Sequence, residues 1–301
     1  MREGGASAIH LLQPRFISSD ANSHLALDQL RVMEAIVLSI NSQPRTTELP
    51  SPSVVLHIPH SSTVIPDDVR VDIVLSDEAF AAELLAMTDH FTDELFTCSL
   101  GVARVVYPVS RLVVDPEQFV DDAQETIVSR GMGVIYTQTS TGGVLRLAPS
   151  VAARTEMLRR FYEPHHAALT RAVSDGLRDN GRCLIVDCHS FASVALPYEL
   201  NQDPERPDIC IGTDGFHTPA RLTEFVCDAF RTVGYSVAVN RPFAGTIVPM
   251  AYYGVDARVS SVMIEVNRGL YMDEGTGARS NRLDAVAESV ASTLERLGVP
   301  V

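Results

Sequence analysis

The chain has 301 residues, 46% of them hydrophobic, and a formal net charge of −14 with a pI near 5.0. That length and apolar content suffice for one large α/β domain or two small ones, and the acidic balance argues against nucleic acid as a partner, which needs a basic face. No run approaches the ~18 consecutive apolar residues of a membrane span, and Met1–Ser7 lead into no hydrophobic signal core, so a cytoplasmic protein is expected.

Residues 1–50 stand apart from the rest. Leu25–Ile40 carries a helical apolar rhythm, and Asn41–Pro52 is a Ser/Pro/Thr-rich connector without periodicity. We read 1–50 as an N-terminal extension with one helix, its His10 and His24 at the surface, ahead of a single catalytic α/β domain over 51–301. From Ser53 onward β-branched runs alternate with amphipathic stretches. Strands are predicted at 53–58, 103–107, 183–188, 208–212, 235–239 and 261–266, and helices near 77–98, 150–179, 218–232 and 281–297. In the last two helices Leu222, Phe225, Val226 and Ala229, then Val286, Val290, Thr293 and Leu294, recur at helix spacing. Strands separated by helices imply a largely parallel sheet covered on both faces. The Tyr162-Glu163-Pro164-His165-His166 segment is expected to break the second helical stretch, and His217 to lie at the surface. The five cysteines form no CxxC pair and fall largely in apolar segments, as reduced core residues do.

Three of the predicted strands deliver ionisable residues. The run Val54–Ile58 leads to Pro59-His60-Ser61-Ser62, Cys183–Asp187 to Cys188-His189-Ser190, and Val262–Ile264 to Glu265 with Asn267 and Arg268. Strand ends in open α/β sheets are where ligands bind, and two histidines with a glutamate on separate strands suit a metal-assisted hydrolase. A neutral His60 can ligate zinc; the plainer reading is a turn-bonding histidine. His57 shares that site only if the chain turns at Pro59. Asp89 and Asp93, four apart on a predicted helix, share a face and call for a metal or an arginine between them; the alternative is a solvated acidic face. Arg111 and Arg268 are candidate carboxylate forks, with a structural ion pair such as Arg111–Asp115 as the alternative. Glu265, on an apolar strand, is the general base of choice, because desolvation raises a carboxylate toward the useful range. The Asn240–Thr246 loop offers Gly245 for close approach and Thr246 for a hydroxyl, either to cover substrate or merely to connect strands. A Ser190 nucleophile is rejected, since no Gly-x-Ser-x-Gly elbow surrounds it.

Six segments taken together, HIPHSS (57–62), TDHFTDELF (88–96), SRLVVD (110–115), DCHSF (187–191), NRPFAGT (240–246) and IEVNRGLYMDE (264–274), resemble the N-formylglutamate amidohydrolase family. They occur in that family's order over about 51–275. The resemblance implies a zinc carboxypeptidase-like fold, a three-layer α/β/α sandwich around a mixed, mostly parallel sheet, with one Zn2+ per chain. It implies His60 and His189 as ligands and Glu265 as the base that activates water. Carboxypeptidases carry a Glu ligand three residues after the first His; this chain has Thr63 there, so the third ligand is sought in Asp89, with Asp93 or His57 as alternatives. Family members often carry Asn-Arg after the SRLVVD segment, where this chain reads Pro116-Glu117. An acid thus stands where an arginine is expected to meet a substrate carboxylate.

The expected reaction is hydrolysis of a small N-acyl amino acid, N-formyl-L-glutamate first among them, to formate and glutamate, as in histidine degradation. Glu265 would move the proton, Arg111 would stabilise the oxyanion, and Arg111 or Arg268, with Asn240 and Thr246, would bind substrate. The alternatives are a metallohydrolase of other acyl amino acids or peptides, and a non-catalytic binding relative; intact His60, His189 and Glu265 argue against the last.

Overall fold

The computed structural model describes residues 52–298 apart from Leu100, Glu125 and Thr126. The helix expected over 25–40, and His10 and His24, lie outside the described residues. All six predicted strands form: β1 (Ser53–Ile58), β2 (Ala103–Val106), β3 (Cys183–Phe191), β4 (Ile209–Gly212), β5 (Val237–Val239) and β6 (Val259–Asn267). They make one sheet in the order β2-β1-β3-β6-β4-β5. Every pairing is parallel except β4 with β6. Because β4 runs the other way, the chain entering it arrives beside the C-terminal end of β6, with Ile209 opposite Val266 and Cys210 opposite Glu265.

Side chains alternate between the two faces of a strand, and the two faces here differ in kind. One carries Leu56, Ile58, Val186, Cys188, Ile211, Ile264 and Val266. It packs on the helices Ala220–Thr232 and Leu283–Leu297 through Val226, Phe230, Val290 and Leu294. Full burial of each such side chain contributes about 1.5–3 kcal/mol. Cys188 belongs to this core, as its apolar run suggested. The other face begins apolar, with Val55, Cys183, Ile185 and Val259 under Leu169 and Val173 of the helix Glu163–Asn180. Gly176 lets that helix approach β1, since a Cβ there would sit 2.8 Å from Ser53 Cβ. Further along the same face the alternation brings up His57, Asp187, His189 and Glu265. The sequence rule of period two therefore puts the apolar residues under the helix and the ionisable ones beyond it.

Two predicted helices are interrupted. The stretch 77–98 splits into Asp77–Met87 and Thr92–Leu95. Between them the chain turns extended at Thr88, then takes a left-handed conformation at Phe91 (φ 65°), and the Asp89 N–H donates to the His60 carbonyl at 3.0 Å. Asp89 and Asp93 therefore do not share a helix face; Asp89 is buried and Asp93 exposed. The stretch 150–179 stays helical from Val151 to Asn180 and does not break at Pro164, but it widens to a π turn over Leu158–Tyr162. Pro164 has no N–H for the carbonyl four residues back, and the wider turn accommodates that loss. The helix closes on Gly181 at φ 70°. His217 is buried rather than exposed: its Nδ1 bonds the Val259 carbonyl and its Nε2 accepts from the Gly254 N–H, both at 2.8 Å.

Candidate active site

The C-terminal ends of β1, β3 and β6 bring His60, His189 and Glu265 together. His60 Nε2 lies 2.9 Å from Asp115 Oδ1. Donation from Nε2 to that carboxylate leaves Nδ1, which is buried and has no hydrogen-bond partner. His189 is arranged in the same sense: Nδ1 faces Asp89 Oδ2 at 3.2 Å, leaving Nε2 at 3.0 Å from Glu117 Oε2 and 3.1 Å from Asp187 Oδ1. A carboxylate behind each imidazole fixes its tautomer and turns the other nitrogen inward, as behind metal-ligating histidines.

The acid that joins these two histidines is Glu117. His60, Glu117 and His189 offer ligand atoms within 4.8 Å of one another, and Glu117 Oε1 is buried without a hydrogen bond. Glu117 is held in place from two sides. Its backbone N–H donates to Asp115 Oδ1 at 3.0 Å, and His166 Nε2 holds the Pro116 carbonyl at 2.8 Å. A second group, His57, Glu117 and Asp187, shares the glutamate. There, however, His57 is already committed, with Nδ1 2.8 Å from Asp187 and Nε2 2.8 Å from His165.

Asp89, expected as the third ligand, is instead used by the protein. It accepts from Arg268 Nη2 at 2.7 Å and the Ser190 N–H at 3.1 Å, and backs His189. Burial works to raise its pKa, but the His189 hydrogen bond, the His60 imidazole with Nδ1 at 3.7 Å, and the Arg268 charge hold it well below the carboxylate range. Arg268 is likewise committed: Nε reaches Ser190 Oγ, Nη1 the Ala86 carbonyl, and Nη2 Asp89, so it is no free substrate clamp. Arg111 pairs with its own Asp115 (Nη2 at 2.7 Å) and bonds Tyr136 through Nε, the structural ion pair that was its alternative reading. Asn240 spends its amide on Thr213 in both directions, and Thr246 Oγ1 bonds Ser261 Oγ, so neither faces a substrate. Their loop is still anchored to the site, because the Ile247 N–H donates to Asp187 Oδ2.

Glu265 sits opposite His189 in the β3–β6 register. It is 6% exposed, and its Oε2 has no hydrogen-bond partner. Burial pushes its carboxyl up to about 7, against the pull of His189. Burial also opposes charging of His189, but Glu117 and Asp187 outweigh it and hold that imidazole well above its ordinary value. Two nitrogen donors and a carboxylate with empty lone pairs, beside a carboxyl poised near neutrality, have the composition of a hydrolytic metal site. Sequence reading missed Glu117. The available signal was an acid at a fixed spacing from SRLVVD, read there only as standing in place of an expected arginine.

The fold is that of an amidohydrolase. The chain belongs to the N-formylglutamate amidohydrolase family, whose family model matches residues 52–272. A crystal structure of N-formylglutamate amidohydrolase from Ralstonia eutropha JMP134 is 25% identical, with a TM-score of 0.73 over 83% of this chain and 94% of that one. The gene product Atu2144 from Agrobacterium tumefaciens, 18% identical with a TM-score of 0.55 over the same shares, has a similar fold. No curated protein matches the chain. Among the described residues no helix is long and apolar enough to cross a membrane.

Proposed function

We propose that this enzyme hydrolyses the amide of N-formyl-L-glutamate to formate and L-glutamate, a step of histidine degradation, in the cytoplasm, with residues 51–301 as its catalytic domain. His60 Nδ1, His189 Nε2 and a Glu117 oxygen would hold one zinc ion. The observation that carries this reading is the pair of buried atoms without a hydrogen bond, His60 Nδ1 and Glu117 Oε1, whose nearest ionic neighbours are Asp89 Oδ2 at 3.7 Å and His57 Nδ1 at 3.4 Å, beside Glu265 Oε2, which also has no hydrogen bond. When bound, zinc supplies Lewis acidity, lowering the pKa of a water and polarising a carbonyl. The remaining chemistry belongs to the chain. Glu265 Oε2 takes the proton of the attacking water and returns it to the departing amine nitrogen. Asp115 and Asp89 hold the two imidazoles, and Arg111 and Arg268 hold those two carboxylates in turn. Metal content by elemental analysis and formate release, measured on one sample, test the reading. One zinc per chain with formate release, both lost in His189→Ala, is expected; absence of metal after zinc reconstitution would sink it.

A further inference from the structure

With Arg111 and Arg268 spent on aspartates, the carboxylate of an acidic substrate lacks a partner among the residues named so far. Arg206 supplies one. Its side chain is 2% exposed, and Nη1 is held by Glu199 Oε2 at 2.6 Å, itself 2% exposed. The guanidinium sits against an edge-to-face pair of rings, its Cζ 5.0 Å from the Phe191 centroid and 5.7 Å from that of Phe243, the two centroids themselves 6.1 Å apart. Both Nε and Nη2 are buried without a hydrogen-bond partner. These two nitrogens form the side-on edge of the guanidinium, the two-pronged fork that matches a carboxylate. Leaving buried charged donors unmet is costly, so this fork is built for an anion. Arg146 also lacks partners, at Nε and Nη1, but Cδ stands on that side and the two cannot grip one carboxylate.

The position fits the reaction. Phe191 is two residues beyond His189 on the same face of β3, about 7 Å further along the strand. Phe243 meets the sheet at Cys210, whose thiol donates to the Phe243 carbonyl and which is paired in register with Glu265. Arg206, packed on Phe191 and Phe243, is thus placed further along this sheet face than His189 and Glu265. We propose that Arg206 binds the side-chain carboxylate of the substrate and sets the preference for acidic N-acyl amino acids. This deepens the amidohydrolase reading above and rests on it.

The test compares N-formyl-L-glutamate with its neutral isostere N-formyl-L-glutamine on wild type, Arg206→Gln and Arg206→Lys. Losing a bidentate charged contact should cost Arg206→Gln roughly 10²-fold or more in kcat/KM on the glutamate substrate, mainly in KM, with the glutamine substrate within a few-fold of wild type. Arg206→Lys should recover part of the loss, and it stands in if the Gln variant does not fold. An equal fall on both substrates, or no fall on either, overturns the proposal and leaves Arg206 a loop anchor. Thermal protection by glutarate, which has no amide to hydrolyse, separates the two readings. If wild type releases formate from neither substrate, the hydrolase reading fails; glutarate protection present in wild type and absent in Arg206→Gln would still support the carboxylate site, and no difference between the two would overturn it.

Discussion

Glu265 and Glu117 are both carboxylates at the same sheet end, and their surroundings suit them to the opposite tasks of the proposed mechanism. Burial holds the Glu265 carboxyl near 7, so below that pH it is protonated and cannot accept the proton of water. The rate therefore rises with pH through an acid limb set by this group, and a bound cation moves the limb below 7. A kcat/KM profile checks it, and Glu265→Gln is expected to lower kcat by about 10²–10⁴-fold, the usual worth of a general base. Glu117→Gln is expected to reduce bound metal, read by elemental analysis. Asp89→Asn should instead show chiefly in stability. It strips Arg268 of its partner in a buried setting, a loss of about 3–5 kcal/mol in denaturant unfolding. His60, His189 and Glu265 were legible because each rides a hydrophobic strand to its end. Glu117 was not, because it lies in a loop after Pro116 where no periodicity speaks, and Arg206 was not, because nothing in the Asn201–Pro207 sequence marks an arginine whose partners come from β3 and from the loop after β5.

At the level of elements, the loop after β5 reaches the site only because β4 ends in glycine. A Cβ on Gly212 would sit 2.2 Å from the Gly245 carbonyl oxygen and 2.4 Å from Met263 Cε. The backbone oxygen cannot yield without moving the segment that presents the Ile247 N–H to Asp187. Gly212→Ala is therefore expected to cost about 1–3 kcal/mol, measurable by thermal unfolding, and to loosen Asp187 and its two histidines. All six strands were visible as short apolar or β-branched runs, most plainly the inner strands β1, β3, β4 and β6, whose burial on both faces makes them near-continuous apolar segments. The interruption of the first helix was not visible, whereas Pro164 did mark the neighbourhood of the π turn in the second. The break at Thr88–Phe91 is made by a tertiary hydrogen bond from Asp89 to His60, and no local pattern in TDHFTDELF announces it. The error mattered, because a continuous helix would have set Asp89 beside Asp93 rather than behind His189.

Across the whole molecule, the buried ionisable row makes stability depend on metal and pH together. A metal that binds the folded chain alone stabilises it by about 4 kcal/mol at a thousandfold excess over Kd, so chelation should lower the unfolding midpoint. In the chelated protein, His60 and His189 titrate above their ordinary value and Glu265 near 7. A raised histidine pKa gives stability that is present below about 6.5 and lost as pH rises through the folded value; a raised carboxyl pKa gives stability that declines above its ordinary range. Asp89, Asp115 and Asp187 are held low, and their contribution is complete above the ordinary carboxylate range, so they add no slope near neutrality. His90, His165 and His166 are held below their ordinary value and act in the opposite sense in both forms, so the expected result is a difference: going from pH 6 to pH 8 should lower the melting temperature of the chelated protein relative to that of the metal-loaded protein. The same row bears on how the chain assembles. Asp187, His189 and Glu265 occupy every second position of β3 and β6, so a slip of either strand by one residue would thrust them among Val226, Phe230 and Val290 with no partner for their charge. The chemistry of the site thus doubles as an error check on strand assembly, rejecting misaligned sheets before any substrate is met.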